Sequence, residues 1–551
     1  MNKYLSIFFI VFLIFNTANA QRPLGNKEEI FTRQDSLRGS ITKERAWWDL
    51  KKYHLDIKVN PADSTISGSN TVRYKVLNSY NRMQIELQEP LKITKATQDG
   101  KELNYQRNGN VFYIDLVAPQ KVGEVKEVVF FYNGKPKIAV NPPWDGGITW
   151  SKDANGKPFI ASTCQGLGAS VWWPNKDHMY DEVDDMLISV NVPKNLTDVS
   201  NGRLQNIVDM KDGTRTFNWY VSNPINNYGV NINIGDYASF SEVFKGEKGD
   251  LDCNYYVLKD NLEKAKIQFK DVPRMLKAFE HWFGPYPFYE DSYKLVEAPY
   301  LGMEHQSSVT YGNGFKNGYK ETDWSGTGWG LKFDYIIIHE SAHEWFANNI
   351  TYKDIADMWI HESFACYSES LFVEYYYGKD AGSEYARGLR KNIQNVNSII
   401  SHYGVNNESS GADMYFKGAN MLHTLRQIVN NDEKWRTILR GLNSTFYHQT
   451  VTTKQIEDYL SQQIGLELKP FFNQYLRDIR IPTFEYKFKD NTLSYRWTNC
   501  VPGFNIPVKV TLNGKEQWLK PIAEWTILPQ TVKELKVEVD KDFYVKLLKR
   551  I

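Results

Sequence analysis

The sequence predicts a multidomain α+β protein: an all-β N-terminal domain, a mainly helical middle and a small C-terminal β-sandwich. Three observations predict it. Period-two alternation dominates from about residue 50 to 240, helical spacing dominates to about 478, and alternation returns after Ile481-Pro482. At 551 residues the chain is too long for one hydrophobic core, given roughly 100–200 residues per domain.

The N-terminus comes first. Lys3 precedes an apolar run from Leu5 to Phe15, and Ala18-Asn19-Ala20 is a small-x-small cleavage site. This predicts a secretory signal peptide over 1–20, cut after Ala20, with a retained anchor as the alternative. No Cys follows the cut, which disfavours a lipid anchor. No other stretch approaches about 20 apolar residues, so no stable membrane span is expected after cleavage. Periplasmic and extracellular locations both fit. Lys3 is the only charge in the signal, so its removal takes the net charge from +1 to 0. A neutral chain gives no argument for nucleic acid or anionic lipid as partner. With 42% hydrophobic and 24% charged residues, the composition is that of a soluble globular protein.

The β domain is expected over 21–243. Tyr53 to Val59, Asn110 to Leu116 and Asp185 to Val192 alternate, separated by turn signals such as Asn60-Pro61, Asp99-Gly100 and Asn133-Gly134. An antiparallel arrangement is expected. The helical domain is expected over 244–479. Its first helix runs from Asn261 to Phe283 and stops at Gly284-Pro285, with Pro273 placed to kink or divide it. Further helices are expected at 331–349, 361–377, 418–430 and 454–463. The β-sandwich is expected over 480–551, with strands at Phe484 to Phe488 and Leu535 to Val539. Cys164, Cys253, Cys366 and Cys500 form no CxxC, which disfavours a Cys zinc site. Disulfides and buried free thiols both remain open.

The chemistry is concentrated in His339-Glu340-Ser341-Ala342-His343, which follows the apolar run Tyr335 to Ile338. On an α-helix, positions i and i+4 share a face, so both imidazoles can converge on one zinc ion. Glu340 can face the water that the metal activates and take its proton. A catalytic zinc takes a third protein ligand. Glu362 opens a second helix nineteen positions after His343, giving a His₂Glu set of His339, His343 and Glu362 for one Zn²⁺ per chain. His361 is the alternative, but adjacent helical residues cannot both face the metal. Glu369 lies two turns beyond Glu362 and can orient a ligand imidazole; a solvated helical Glu is the other reading.

HExxH, eighteen residues and then Glu within Trp359-Ile360-His361-Glu362-Ser363-Phe364-Ala365 resembles the gluzincin aminopeptidases, the family of aminopeptidase N and the leukotriene hydrolase. Glu344-Trp345-Phe346 is similar to the family's Q-W-F, and Asn348 to Thr351 to its N-x-x-T. The resemblance covers about 45–551 and is strongest over 295–425. It implies a thermolysin-like catalytic domain and a zinc aminopeptidase acting on peptides with a free N-terminus. Leu301-Gly302-Met303-Glu304-His305 is similar to the family's G-x-M-E-N loop, which implies that Glu304, with Gly302 and Met303, holds the substrate's α-amino group. Leu301 and His305 depart from that pattern. Tyr415, in Tyr415-Phe416-Lys417-Gly418, resembles the family's oxyanion tyrosine, and Gln165 occupies the place of a Gln that contacts the N-terminal residue. Many members carry a large helical domain after the sandwich, and the resemblance implies a short form without it.

Overall fold

The computed structural model describes residues 30–406, 411–532 and 534–550. The signal segment expected at 1–20 lies outside them. The expected architecture is present: a β-rich N-terminal region, a helical middle and C-terminal strands.

The N-terminal region is built on an eight-stranded sheet whose centre is the strand Trp48–Asn60. Leu50, Tyr53, Leu55, Ile57 and Val59 are buried. The three-residue step from Leu50 to Tyr53 breaks the alternation, and the register shifts there between Leu50 and Lys52, so a bulge restores the inward face. This strand pairs antiparallel with Thr65–Val76 but parallel with Asp185–Pro193. The expectation of a purely antiparallel domain therefore needs correcting. The two partners are joined by a connection long enough to return to the same end of the sheet, which a parallel pair requires. A four-stranded sheet containing Gly147–Lys152 and Pro158–Thr163 carries the chain to Gln165.

The helical middle opens on a five-stranded sheet that the periodicity did not reveal. Its order is Tyr237–Gly246, Gly249–Leu258, Tyr293–Glu297, Val309–Tyr311 and Gly302–Met303. The strand Tyr237–Gly246 crosses the expected boundary at 243. The last two strands are only three and two residues long, too short for alternation to register. The helix expected over 261–283 is two, Leu262–Gln268 and Asp271–Phe283. Pro273 sits in the first turn of the second. It has no N–H, and its ring excludes a helical carbonyl at position 269, so the helix divides there.

The helix expected over 331–349 is Tyr335–Ala342, with His343 as its C-cap. Beyond it, Phe346 (φ −129°, ψ 75°) and Ala347 leave helical geometry. The others lie at Trp359–Tyr377, Asp413–Val429 and Thr453–Ile464. The C-terminal strands form sheets of four and three. Their core is continuous with that of the helical region, through Phe471, Tyr475, Phe504 and Trp497. All four cysteines are free thiols, three of them buried. Among the described residues no helix is long and apolar enough to cross a membrane.

Asp334 fixes where the helix Tyr335–Ala342 begins. Its carboxylate caps the N–H groups of Ile336 (3.1 Å) and Ile337 (3.4 Å). It also accepts from Tyr311 Oη (2.7 Å), Gln268 Nε2 (2.8 Å) and Asn313 Nδ2 (2.9 Å). Removing it leaves buried donors without an acceptor. Asp334→Ala is expected to lower stability by about 2–4 kcal/mol. Urea denaturation followed by tryptophan fluorescence measures this; an unmoved midpoint would contradict the assignment.

Candidate metal centre and amine pocket

The helix Tyr335–Ala342 and its C-cap present His339, Glu340 and His343 at one end of the helix Trp359–Tyr377, which presents Glu362 and Glu369. Both histidines and Glu362 are buried. His339 Nδ1 lies 2.8 Å from Glu369 Oε1, and His343 Nδ1 lies 3.0 Å from the Phe346 carbonyl. A carboxylate and a carbonyl only accept, so each Nδ1 carries the proton and each Nε2 keeps its lone pair. The backbone departure at Phe346 turns that carbonyl back towards His343. Glu369 is itself held by Tyr385, whose hydroxyl donates to Oε2 at 2.6 Å.

The two Nε2 atoms face one oxygen. Glu362 Oε2 lies 3.6 Å from His339 Nε2 and 3.4 Å from His343 Nε2. It is buried without a hydrogen-bond partner among the described residues. Ligand atoms about 2.0–2.1 Å from a tetrahedral zinc stand about 3.3–3.4 Å from one another. The ligand atoms of His339, His343 and Glu362 all lie within 4.8 Å of one another. The donor types, the spacing and the orphaned oxygen fit zinc.

The electrostatics of the protein alone point the same way. Burial opposes protonation of both imidazoles. Glu362 and Glu369 nevertheless raise His339 well above its ordinary range, and Glu362 raises His343 to about 9. Burial would raise Glu362, but His343 and His339 hold it low. Burial pushes Glu340 up to about 7; His339 opposes this and Glu304 adds to it. The cluster attracts positive charge.

A second group joins the first. Glu304, Glu340 and His343 also have ligand atoms within 4.8 Å of one another. Glu304 Oε1 accepts from Gln165 Nε2 (2.6 Å) and Tyr228 Oη (3.1 Å). Gln165 reaches Glu362 Oε1 as well, at 3.0 Å. Gly302 and Met303 form the short strand that brings Glu304 in. A Cβ on Gly302 would stand 2.7 Å from Ile336 Cγ2 and 3.1 Å from Glu340 Cγ, so only glycine allows this approach. Met303 Sδ lies 3.8 Å from Thr163 Oγ1, two residues before Gln165. Tyr415 sits with its ring 6.0 Å from that of His339. Burial raises its phenol, and the carboxylates of Glu362, Glu304 and Glu340 add to that rise. Gln165, Gly302, Met303, Glu304, His339, Glu340, His343, Glu362, Glu369 and Tyr415 therefore lie together at this one place.

His361 does not face the metal ligands. Its Nε2 accepts the N–H of Tyr352 at 3.0 Å and its Nδ1 lies 3.3 Å from Tyr228 Oη. Leu301 and His305, the two departures from the loop pattern, are buried. The loop is clamped instead by residues that sequence reasoning did not assign. Asn348 donates to the Glu304 carbonyl (2.9 Å), and Glu344 accepts from Ser307 N (2.9 Å). From the N-terminal region, Asn201 donates to the Gln306 carbonyl (2.7 Å) and Asn231 to that of Ser308 (3.1 Å). Asn348 lay in the N-x-x-T motif and could have been found there. Tyr228, Asn201 and Asn231 carried no signal of spacing.

Comparison with known proteins agrees with this geometry. Residues 267–475 match the model of the peptidase family M1 domain. The chain is 22% identical to leukotriene A-4 hydrolase of Xenopus laevis over 75% of its length and 68% of that protein's. It is 21% identical to a probable aminopeptidase 1 of Sulfurisphaera tokodaii, over 87% of this chain and 63% of that one. It is 25% identical to endoplasmic reticulum aminopeptidase 1 of Mus musculus, where it spans 28% of the relative's length. Among solved structures, an M1 zinc metallopeptidase mutant of Deinococcus radiodurans with a Tyr-Ser-Ala substrate bound shares the fold. The TM-score is 0.67 at 21% identity, covering 79% of this chain and 95% of that one.

Glu369 is the residue to test the metal centre without an activity assay. Glu369→Gln weakens the acceptor that orients His339, and is expected to reduce zinc affinity about 10–100-fold. Competition with a chromophoric chelator measures it. Unchanged affinity would show that His339 is oriented by other means.

Proposed function

We propose that this chain, whose residues 267–475 match the peptidase family M1 domain, is a zinc-dependent aminopeptidase removing residues one at a time from the N-termini of peptides. One observation supports this above the others: the Glu304 carboxylate lies within 4.8 Å of those of Glu340 and the imidazole of His343. In a peptide, the α-amino nitrogen is only about 2.5 Å from the first carbonyl carbon. An ammonium paired with Glu304 therefore leaves only the first peptide bond within reach of Glu340.

Each side chain then has a role. His339, His343 and Glu362 would hold zinc, which would supply polarisation of the scissile carbonyl and a lowered pKa for water. Glu340 takes the proton of the attacking water and passes it to the leaving amine. Tyr415 donates its phenolic hydrogen to the oxygen that becomes negative. Gln165, bonded to both Glu304 and Glu362, keeps the amine pocket in register with the metal ligands. Gly302 lets the strand carrying Met303 and Glu304 lie against Glu340. Lys3, the apolar run to Phe15 and Ala18-Asn19-Ala20 support export before the enzyme acts, to the periplasm or outside the cell.

Glu340→Gln is expected to retain zinc and lower kcat about 10²–10⁴-fold. Free-amine aminoacyl-coumarins should be cleaved and their N-acetylated forms should not. Equal rates on the two would remove Glu304 from the amine-binding role, and full activity of Glu340→Gln would remove the general base.

A further inference from the structure

The metal centre has two unlike borders. On the His343 side stands Glu304, with Gln165 and Tyr228 both donating to its Oε1. On the His339 side, beyond the Glu369 carboxylate that bonds its Nδ1, stand rings. Tyr335 stacks on His339 with centroids 5.2 Å apart and planes 12° from parallel. Tyr319 meets Tyr335 edge-on at 5.6 Å, and Trp324 meets Tyr319 edge-on at 5.4 Å. Trp324 touches Phe416 at 6.2 Å, Phe416 touches Tyr415 at 6.4 Å, and Tyr415 returns to His339 at 6.0 Å. The circuit of contacts begins and ends on a metal ligand.

These rings pack against the core but are not enclosed by it. Tyr319, Trp324, Tyr335, Tyr415 and Phe416 are all partly exposed, whereas the ligands beside them are buried. Burial raises the Tyr319 phenol, and the Glu340 carboxylate adds to the rise. The segment that carries Tyr319 and Trp324 is held in place. Asn313 Nδ2 donates to the carbonyls of Lys316 (2.7 Å) and Gly318 (2.8 Å). Gly318 N donates to the Phe333 carbonyl at 2.8 Å. Asp323 accepts from Ser325 N at 2.8 Å, and Asn392 Nδ2 donates to the Trp324 carbonyl at 3.0 Å.

Geometry then orders the substrate. With its ammonium at Glu304 and its first carbonyl at Glu340, a peptide would occupy the polar border, which leaves the His339 side for its next residue. We propose that Tyr319, Trp324 and Phe416 form an aromatic subsite that selects the residue following the scissile bond, favouring large apolar and aromatic side chains there. This rests on the aminopeptidase reading and adds a substrate class to it. Partly exposed rings held by fixed backbone lose little freedom on contact with a further apolar side chain, and burial of that side chain is favourable.

The test compares kcat/KM for two tripeptides, Leu-Phe-Gly and Leu-Gly-Gly, in the zinc-loaded wild type and in Trp324→Ala and Phe416→Ala. Their ratio is independent of the fraction of active enzyme, so partial misfolding does not disguise the result. The wild type should prefer Leu-Phe-Gly by about tenfold or more. Each variant should bring the ratio within about threefold of unity, while Trp324→Leu, which keeps apolar surface, retains most of the preference. The ratio for Phe-Gly-Gly over Ala-Gly-Gly, which reads the first residue, should not move. A wild type indifferent to the second residue overturns the subsite, as does a preference that survives both substitutions or variants that shift first-residue selectivity. Failure of the zinc-loaded wild type to cleave any of the four peptides overturns the aminopeptidase reading, and the subsite with it.

Discussion

Two hydrogen bonds on the backs of two imidazoles set the rest of the site. His339 gives its Nδ1 proton to Glu369, and His343 gives its own to the Phe346 carbonyl. Without them either ring could turn, and neither Nε2 lone pair would have a fixed aim. Both bonds make demands on the backbone. The first requires Glu369 seven residues after Glu362, two turns along the same face, so one helix supplies both a ligand and the group that orients another. The second requires the first helix to stop at His343, because the carbonyl of a continuing helix would point along the axis and not back at the ring. The short helix and the irregular stretch after it are conditions of the metal centre.

The amine pocket depends on packing between two regions. Glu304 stands on a loop that includes Ser307 at φ +51°, a backbone geometry that needs outside support. That support comes from both sides: Asn348 and Glu344 from the helical region, Asn201, Asn231 and Tyr228 from the β region. Gln165 arrives from the β region as well and bonds to a metal ligand. The metal ligands come from two neighbouring helices, but the Glu304 carboxylate is placed by contacts that cross between regions. In the proposed function, hydrolysis and the restriction to N-termini would therefore be carried by different parts of the fold.

Much of this was legible in the sequence, for a reason that also explains what was not. The spacing of His339, His343, Glu362 and Glu369 follows from helical periodicity, which one chain displays directly. Alternation located the long strands for the same reason. Clamping residues are different. Asn201, Asn231 and Tyr228 act through carbonyls and carboxylates far away in the chain, and no local period marks them. The parallel pair of Trp48–Asn60 with Asp185–Pro193 is a matter of topology, which alternation does not encode. The end of the helix at His343 was hidden because Trp345, Phe346 and Ala347 are compatible with helix by composition; the departure at Phe346 serves a bond that only the folded site reveals. Pro273 was visible as an obstacle, but that it starts a helix and does not bend one is decided by the packing around it.

Charge accounts for how the centre assembles. Glu304, Glu340, Glu362 and Glu369 gather round two imidazoles in a buried space. Without other cations the imidazoles take up protons, which is why His343 is raised to about 9. A dication displaces those protons, so zinc should bind more tightly as pH rises towards that value, where fewer protons compete for the same nitrogens. Four carboxylates against one dication still leave two negative charges, and in the proposed mechanism a substrate ammonium beside Glu304 would reduce them to one. A proton taken up by Glu340 removes the last. Burial raises the affinity of Glu340 for a proton, and the remaining negative charge of Glu304 and Glu362 raises it further. In the proposed mechanism the base is thus made stronger by the same carboxylates that would hold the metal and the substrate, and the cluster would approach neutrality at the stage when the peptide bond is attacked.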